Sequence, residues 1–150
     1  AKLYIELGEL DRAAPLLEQV AEAQEGRRRY RELSKTLCQL AQIDELRGQF
    51  DTAQARYAEA KRRDAGNQES TLGIARGLCR GEEWGEAQKL LRPLTLQRTL
   101  ATPLRVEIFY LSGATAKALG DERKASEMFR KALDLDGEHA ASREALDSIT

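Results

Sequence analysis

Four stretches of this chain align with one another without a gap: GELDRAAPLLEQVA at 8–21, GQFDTAQARYAEAK at 48–61, EEWGEAQKLLRPLT at 82–95 and GDERKASEMFRKAL at 120–133. In each, an alanine (Ala13, Ala53, Ala87, Ala125) is followed four residues later by a large side chain (Leu17, Tyr57, Leu91, Phe129). Three residues further on comes Val20, Ala60, Leu94 or Ala132. Spacings of four and three fall on one face of an α-helix. Small residues on that face let a second helix approach closely, and the large residue fills the space beside them. The alanines recur at intervals of 40, 34 and 38 residues, so one unit repeats with connections of unequal length.

Each copy follows another helical stretch with its own apolar stripe: Leu33, Leu37, Leu40 and Ala41; Thr71, Ile74, Ala75 and Leu78; Ile108, Phe109, Ser112, Gly113, Ala116 and Leu119. The unit is therefore helix, turn, helix. One such pair cannot bury both of its faces, whereas a stack of pairs forms a continuous core from neighbour contacts alone. Gly48 and Gly120 sit where a helix stops in a left-handed cap, and Asp121 can cap the helix that follows. Thr102 before Pro103 reads as a helix start. Pro15 and Pro93 fall inside helical stretches, and Pro93 should end its helix early. These signals predict nine helices, near 1–7, 10–24, 27–47, 50–64, 67–80, 84–98, 103–119, 122–135 and 139–148, and no strand.

Composition agrees and narrows the function classes. Ala, Leu, Glu, Arg and Lys dominate while aromatics are 5% and prolines three, which suits a nearly all-helical chain. The 24 basic residues are offset by 25 acidic ones, so no net field draws nucleic acid or an anionic membrane. The 150 residues suffice for one domain or a short array. The amino terminus shows no signal peptide, and it opens in helical periodicity without a starting Met, as expected of a segment cut from a longer protein. Compartment is not encoded in these features; a cytoplasmic setting is weakly favoured.

The turn, the alanine, the large residue four later and the small residue three after that, closing with ALDLDGEH, resemble the tetratricopeptide repeat, whose period is about 34 residues. Residues 106–139 carry the resemblance best and 34–67 well. The third unit matches acceptably, and the first keeps only the end of its leading helix. Asp44 and Thr71 depart from it, standing where the family favours large aromatics. The resemblance implies an all-α fold, a right-handed α-α superhelix (solenoid) of stacked helix-turn-helix repeats. Its divisions are a partial first repeat at 1–26, repeats at 27–67, 68–102 and 103–137, and a capping helix or the start of a further repeat at 138–150.

The resemblance also implies a concave groove on the leading helices. Its expected lining is Lys35, Gln39, Gln42, Glu69, Leu72, Arg76, Arg80, Glu107, Tyr110, Ala114 and Lys117, with Cys38, Glu45, Cys79 and Leu111 on the same faces. Tyr110, Arg76 and Arg80 are the expected anchors, because aromatic and Arg side chains bring contact area and directional bonding. Family members that clamp a chaperone's terminal carboxylate use Lys, Asn and Arg at places held here by Cys38, Gln42, Glu69 and Gly73, so that ligand is not expected.

Other candidate chemistry is thin. GRRRYRELSK at 26–35 is a basic run with an embedded aromatic, read as a solvated helix face with Tyr30 turned inward rather than as a nucleic-acid patch. DLDGEHAASRE holds oxygen ligands and His139, the one histidine, but lacks the alternation of a calcium loop. Gly73, Gly77, Gly81 and Gly85 lack the phosphate-loop Lys–Ser/Thr and fit close helix packing better. Cys38 and Cys79 have no metal-ligand spacing and read as reduced helix cysteines. With no base beside a nucleophile, an enzyme is not expected, and neither is a cofactor or metal.

The sequence thus predicts an interaction scaffold taking a peptide or helix of a protein partner in the groove, with no nucleic acid and no membrane insertion. The alternatives are a structural segment that assembles through its ends or convex face, including as a homo-oligomer, and a regulatory region of a larger protein.

Overall fold

The computed structural model describes residues 2–149, with side chains from residue 8 onward; Ala1, in the first expected helix, and Thr150, the end of the expected 138–150 division, lie outside the described residues. Eight helices follow one another: α1 (Lys2–Gly26), α2 (Tyr30–Leu46), α3 (Phe50–Arg63), α4 (Gln68–Arg80), α5 (Trp84–Leu94), α6 (Thr102–Ala118), α7 (Glu122–Leu135) and α8 (Ala140–Ile149). No strand occurs among the described residues.

The expected first two helices are one. Gly8 does not break α1, and a Cβ placed there would meet nothing within 4 Å, so no packing folds the chain back at this point. A glycine inside a helix costs only about 1 kcal/mol, and α1 also accommodates Pro15. Pro93 does act as a terminator: α5 ends one residue later, at Leu94. At α6 the cap position falls on Ala101, which has no side-chain acceptor, so Thr102 lies inside the helix rather than capping it.

Two turn designs recur. From α2 to α3, α4 to α5 and α6 to α7 the backbone passes through one left-handed residue: Gly48 (φ 74°), Glu82 (φ 57°) and Gly120 (φ 88°). The next N–H then returns to the helix just ended, Gln49 to the Asp44 carbonyl, Glu83 to Leu78 and Asp121 to Ala116, at 2.8, 2.9 and 2.8 Å. These bonds satisfy carbonyls that a helix end otherwise leaves open. The α1–α2 turn uses the same device at Arg28 (φ 56°). Asp121 then caps α7, its carboxylate accepting from the Lys124 N–H.

From α3 to α4 and from α7 to α8 an aspartate takes over. Asp64 (φ −147°, ψ 98°) and Asp136 (φ −144°, ψ 95°) are extended, and their N–H groups close α3 and α7 on the carbonyls of Ala60 and Ala132. The Oδ1 atoms accept from the N–H of Gly66 and Glu138, both at 3.1 Å. The Asp carbonyls accept from Asn67 and His139. Asn67 and His139 are therefore equivalent residues of two copies of one turn.

The chain forms two compact units, residues 1–74 and 75–150, and the division falls within α4. In the first, Tyr57 is enclosed with Cys38, Ala41, Ala53 and Ala60, and Leu37 and Ile74 pack alongside. Its hydroxyl donates to Glu45. In the second, Phe129 lies among Ala116 and Ala125, with Tyr110, Ala145, Leu146 and Ile149 against them. Met128 and Ala132 meet Val106 and Phe109. The alanine and large-residue stripes of the sequence are thus the seams between α2 and α3 and between α6 and α7. Leu119, the last residue of the expected α6 stripe, is exposed because the chain leaves the helix there.

Candidate functional site

The two equivalent turns are built from different chemistry. At α3–α4, Asn67 is the cap of α4, its Oδ1 accepting from the Ser70 N–H at 3.1 Å. Its amide nitrogen donates back to α2, to Ser34 Oγ at 2.8 Å and Cys38 Sγ at 3.5 Å. Ser34 in turn donates to the Ala60 carbonyl, so polar bonds tie α2, α3 and the start of α4 together.

At α7–α8 the same places hold Val106, Tyr110, His139 and Ser142. His139 Nδ1 accepts from the Ser142 N–H at 3.3 Å, which caps α8 as Asn67 caps α4. Buried Ser142 Oγ lies 2.6 Å from the same nitrogen. The imidazole meets Tyr110 edge-on, with ring centroids 5.5 Å apart. Where Asn67 spans to α2 with hydrogen bonds, His139 faces α6 across an open cavity of about 640 Å³. Its walls are apolar, from Pro103, Val106, Tyr110 and Leu111 on α6 and Leu135 on α7. Its polar groups include Arg76, Thr102, Glu107, Asp136 and His139.

Of the expected groove residues in the second unit, the structure brings Arg76, Glu107 and Tyr110 to this cavity. Arg76 donates to both Glu107 oxygens, from Nε at 3.1 Å and Nη2 at 2.5 Å, so the expected anchor is held in a planar two-bond pair. Lys117 is exposed and reaches Ser148 Oγ on α8 at 2.8 Å. Ala114 is half-buried and Arg80 exposed. In the first unit Lys35, Gln39, Gln42 and Glu69 are exposed. Gln39 and Gln42 border a second cavity, about 440 Å³, between α1 and α2. Leu72 corrects the expectation: it is 2% exposed, an aliphatic side chain withdrawn into the packed interior rather than offered at a surface. Leu135, Asp136 and His139 were missed, because they lie at the end of α7 and on the turn that follows it rather than on a leading-helix face. The one signal for them was the lone histidine in LDLDGEH.

Other expectations resolve locally. Tyr30 is not turned inward: it is 38% exposed, with the Arg63 guanidinium 5.2 Å from its ring centre. Asp44, where the repeat favours an aromatic, is buried and takes both oxygens to Arg56 Nη1 at 3.1 and 2.9 Å. Burial pushes its carboxyl up from the ordinary range, and the Arg56 charge and hydrogen bond pull it back. Burial, reinforced by the Glu69 charge, pushes the Cys38 thiol up to about 12 against the opposing Asn67 hydrogen bond. Cys79 is also raised by burial, opposed by its Thr115 contact and by Arg80. Both cysteines are free. No group of three or more His, Cys, Asp or Glu side chains among the described residues is placed to hold a metal ion. No helix among them is long and apolar enough to cross a membrane.

Residues 106–139 match the family model described as "Tetratricopeptide repeat". No curated protein matches the chain. Among solved structures, the Arabidopsis OM64 TPR domain is similar with a TM-score of 0.70 at 18% identity, covering 80% of this chain and 96% of that one. The first TPR of Spaghetti (RPAP3), bound to the HSP90 peptide SRMEEVD, is similar with a TM-score of 0.67 at 16% identity, covering 79% and 91%. YrrB, described as a TPR protein with an unusual peptide-binding site, gives 0.63 at 18%, covering 97% and 84%. Residues 106–139 thus match a tetratricopeptide repeat by sequence, and the fold of the described residues is similar to that of solved tetratricopeptide-repeat structures.

Proposed function

We propose that the chain is a protein-interaction module that takes a peptide or helix of a partner protein on its leading-helix faces, with the α6–α8 cavity as the principal subsite. The observation that carries this reading is the cavity itself: about 640 Å³, walled by aliphatic and aromatic side chains with a few convergent polar groups, the usual constitution of a recognition pocket. One side chain of a peptide fits such a space, and Tyr110 supplies the large contact area that interaction hot spots use. Peptide binding by similarly folded domains supports the reading by analogy. The test is a displayed random-peptide library selected on the immobilised chain. Selected peptides should lose binding to a Tyr110→Ala, Leu135→Ala variant whose circular dichroism remains helical. Peptides held equally by both proteins place recognition elsewhere.

A second reading, assembly with another copy through the α1–α2 face, has its own support. Leu16 and Leu46 are 62% and 64% exposed beside the second cavity, and contiguous exposed apolar surface marks interaction sites. Sedimentation should then give a dimer that Leu16→Asp dissociates; a monomer at all concentrations excludes it.

A further inference from the structure

We infer that a separate recognition site lies between α5, α6 and α7, a small polar cavity that takes a carboxylate; it shares no lining residue with the α6–α8 cavity and stands independently of it. The fourth repeat departs from the second along one seam. Thirteen residues before the stripe alanine the second repeat has Leu40 and the fourth has Ser112; ten before it they have Ile43 and Thr115. On the helix that precedes each, Ala14 and Ala21 of α1 correspond to Gln88 and Thr95 of α5.

Ala14, Leu40 and Ile43 form one buried apolar cluster with Ala21 packed against it. All four positions are thus apolar where α1 meets α2 and polar where α5 meets α6. Ser112 is 8% exposed and Thr115 1%. Aliphatic side chains there would bury more apolar surface and require no hydrogen bond, so stability does not account for the exchange. Ser112 Oγ has no hydrogen-bond partner among the described residues. It lines a cavity of about 30 Å³ whose apolar walls are Leu91 and Met128. Buried hydroxyls are normally hydrogen-bonded, which makes this one the anchor for whatever enters.

Charge indicates what enters. The two charged residues lining the cavity are both cations, Arg92 and Lys124. Neither has an ion-pair partner among the described residues. In the first unit the corresponding positions neutralise one another, since Glu18 and Asp44 both bind Arg56. Their equivalents are Arg92, Ala116 and Met128, so both carboxylates are gone and a cation stands in place of one. An incoming carboxylate supplies the missing charge, accepting from the Ser112 hydroxyl and the Gln88 amide while Arg92 and Lys124 offset it. The Thr95 hydroxyl is already committed to the Arg92 carbonyl at 2.7 Å, and Thr115 faces Cys79 Sγ at 3.6 Å. Ser112 is therefore the hydroxyl left to donate.

Met128 is the single methionine of the chain, so an isotope-labelled methionine methyl gives one resonance that reports on this cavity. The whole chain is titrated at constant ionic strength with N-acetyl-glutamate α-amide, with its neutral counterpart N-acetyl-glutamine amide, and with acetate. The glutamate probe should shift the Met128 methyl saturably, and the glutamine probe should not. A glutamate affinity well above that of acetate assigns the site to an acidic side chain of a protein; equal affinities assign it to a free carboxylate. Arg92→Gln should weaken binding roughly fivefold or more. Ser112→Leu, which installs the residue type of Leu40 and keeps both cations, should abolish binding without lowering the thermal midpoint. Absence of any carboxylate response overturns the site and leaves the hydroxyl to solvent. A response unchanged in Ser112→Leu also overturns it, because the attraction then comes from surface charge alone.

Discussion

Phe129 lies so close to Gly113 that a β-carbon on the glycine would come within 2.6 Å of the ring, and Tyr57 stands over Gly73 at the same distance. The two aromatic residues of the repeat stripe are thus each seated against a backbone with no side chain. Gly113→Ala should destabilise the chain by about 1–3 kcal/mol through overpacking, even though alanine is the better helix former. Phe129→Ala, which empties the same seat, should cost about 3–5 kcal/mol. Urea unfolding measures both, and an unchanged midpoint for either refutes this seam.

At α4–α5 the left-handed position is occupied by Glu82 rather than by Gly81 beside it. A residue with a β-carbon pays roughly 1 kcal/mol or more for that conformation, and glycine pays nothing steric. Glu82→Gly should therefore stabilise the chain by up to about 1 kcal/mol, while Gly120→Ala, at the equivalent turn, should destabilise it by a similar amount. A rise in thermal midpoint for the first and a fall for the second are the expected pair.

The fold was legible because its information is local and repeated. The Ala–large–small stripe fixes which helix faces meet, and Gly48, Gly120 and Asp121 fix where the chain reverses. The merger of 1–7 with 10–24 was not legible, since Gly8 stops a helix only when packing rewards the reversal. The site was half legible. Glu107 and Tyr110 follow from counting along α6. His139 and Asp136 do not, because a turn residue's contribution depends on which neighbouring helix it faces. Nor does composition reveal that Arg76 is engaged with Glu107, a contact between residues 31 apart in sequence.

Among the described residues, Asp44 is the buried carboxylate, 3% exposed at its side chain, and Arg56 neutralises it. Arg56→Met keeps much of the aliphatic stem and leaves the carboxyl alone in the interior, at a cost of about 3 kcal/mol near neutrality. Burial already raises Asp44, and removing the guanidinium removes the influence that lowers it. The native state then holds a proton more tightly than the unfolded chain. That contribution is full below the unfolded value and is lost as pH rises through the raised native one. The penalty of Arg56→Met should accordingly shrink on acidification, and urea midpoints at neutral and mildly acidic pH should converge toward wild type. A penalty independent of pH means that Asp44 stays solvated.

The two cysteines should differ in how they react. The nucleophile is the thiolate, and Cys38, with no exposed surface and its thiol pushed up to about 12, presents almost none at neutral pH. Cys79 is also raised by burial, but it is only partly buried, and Arg80 and Thr115 favour its charged form. Iodoacetamide should label Cys79 slowly in the folded chain and Cys38 only through opening of the α2–α3 seam. The rate at Cys38 should therefore track global stability, falling with Glu82→Gly and rising with denaturant. Equal rates at both thiols would mean that the Asn67–Ser34–Cys38 cluster opens independently of the core it covers.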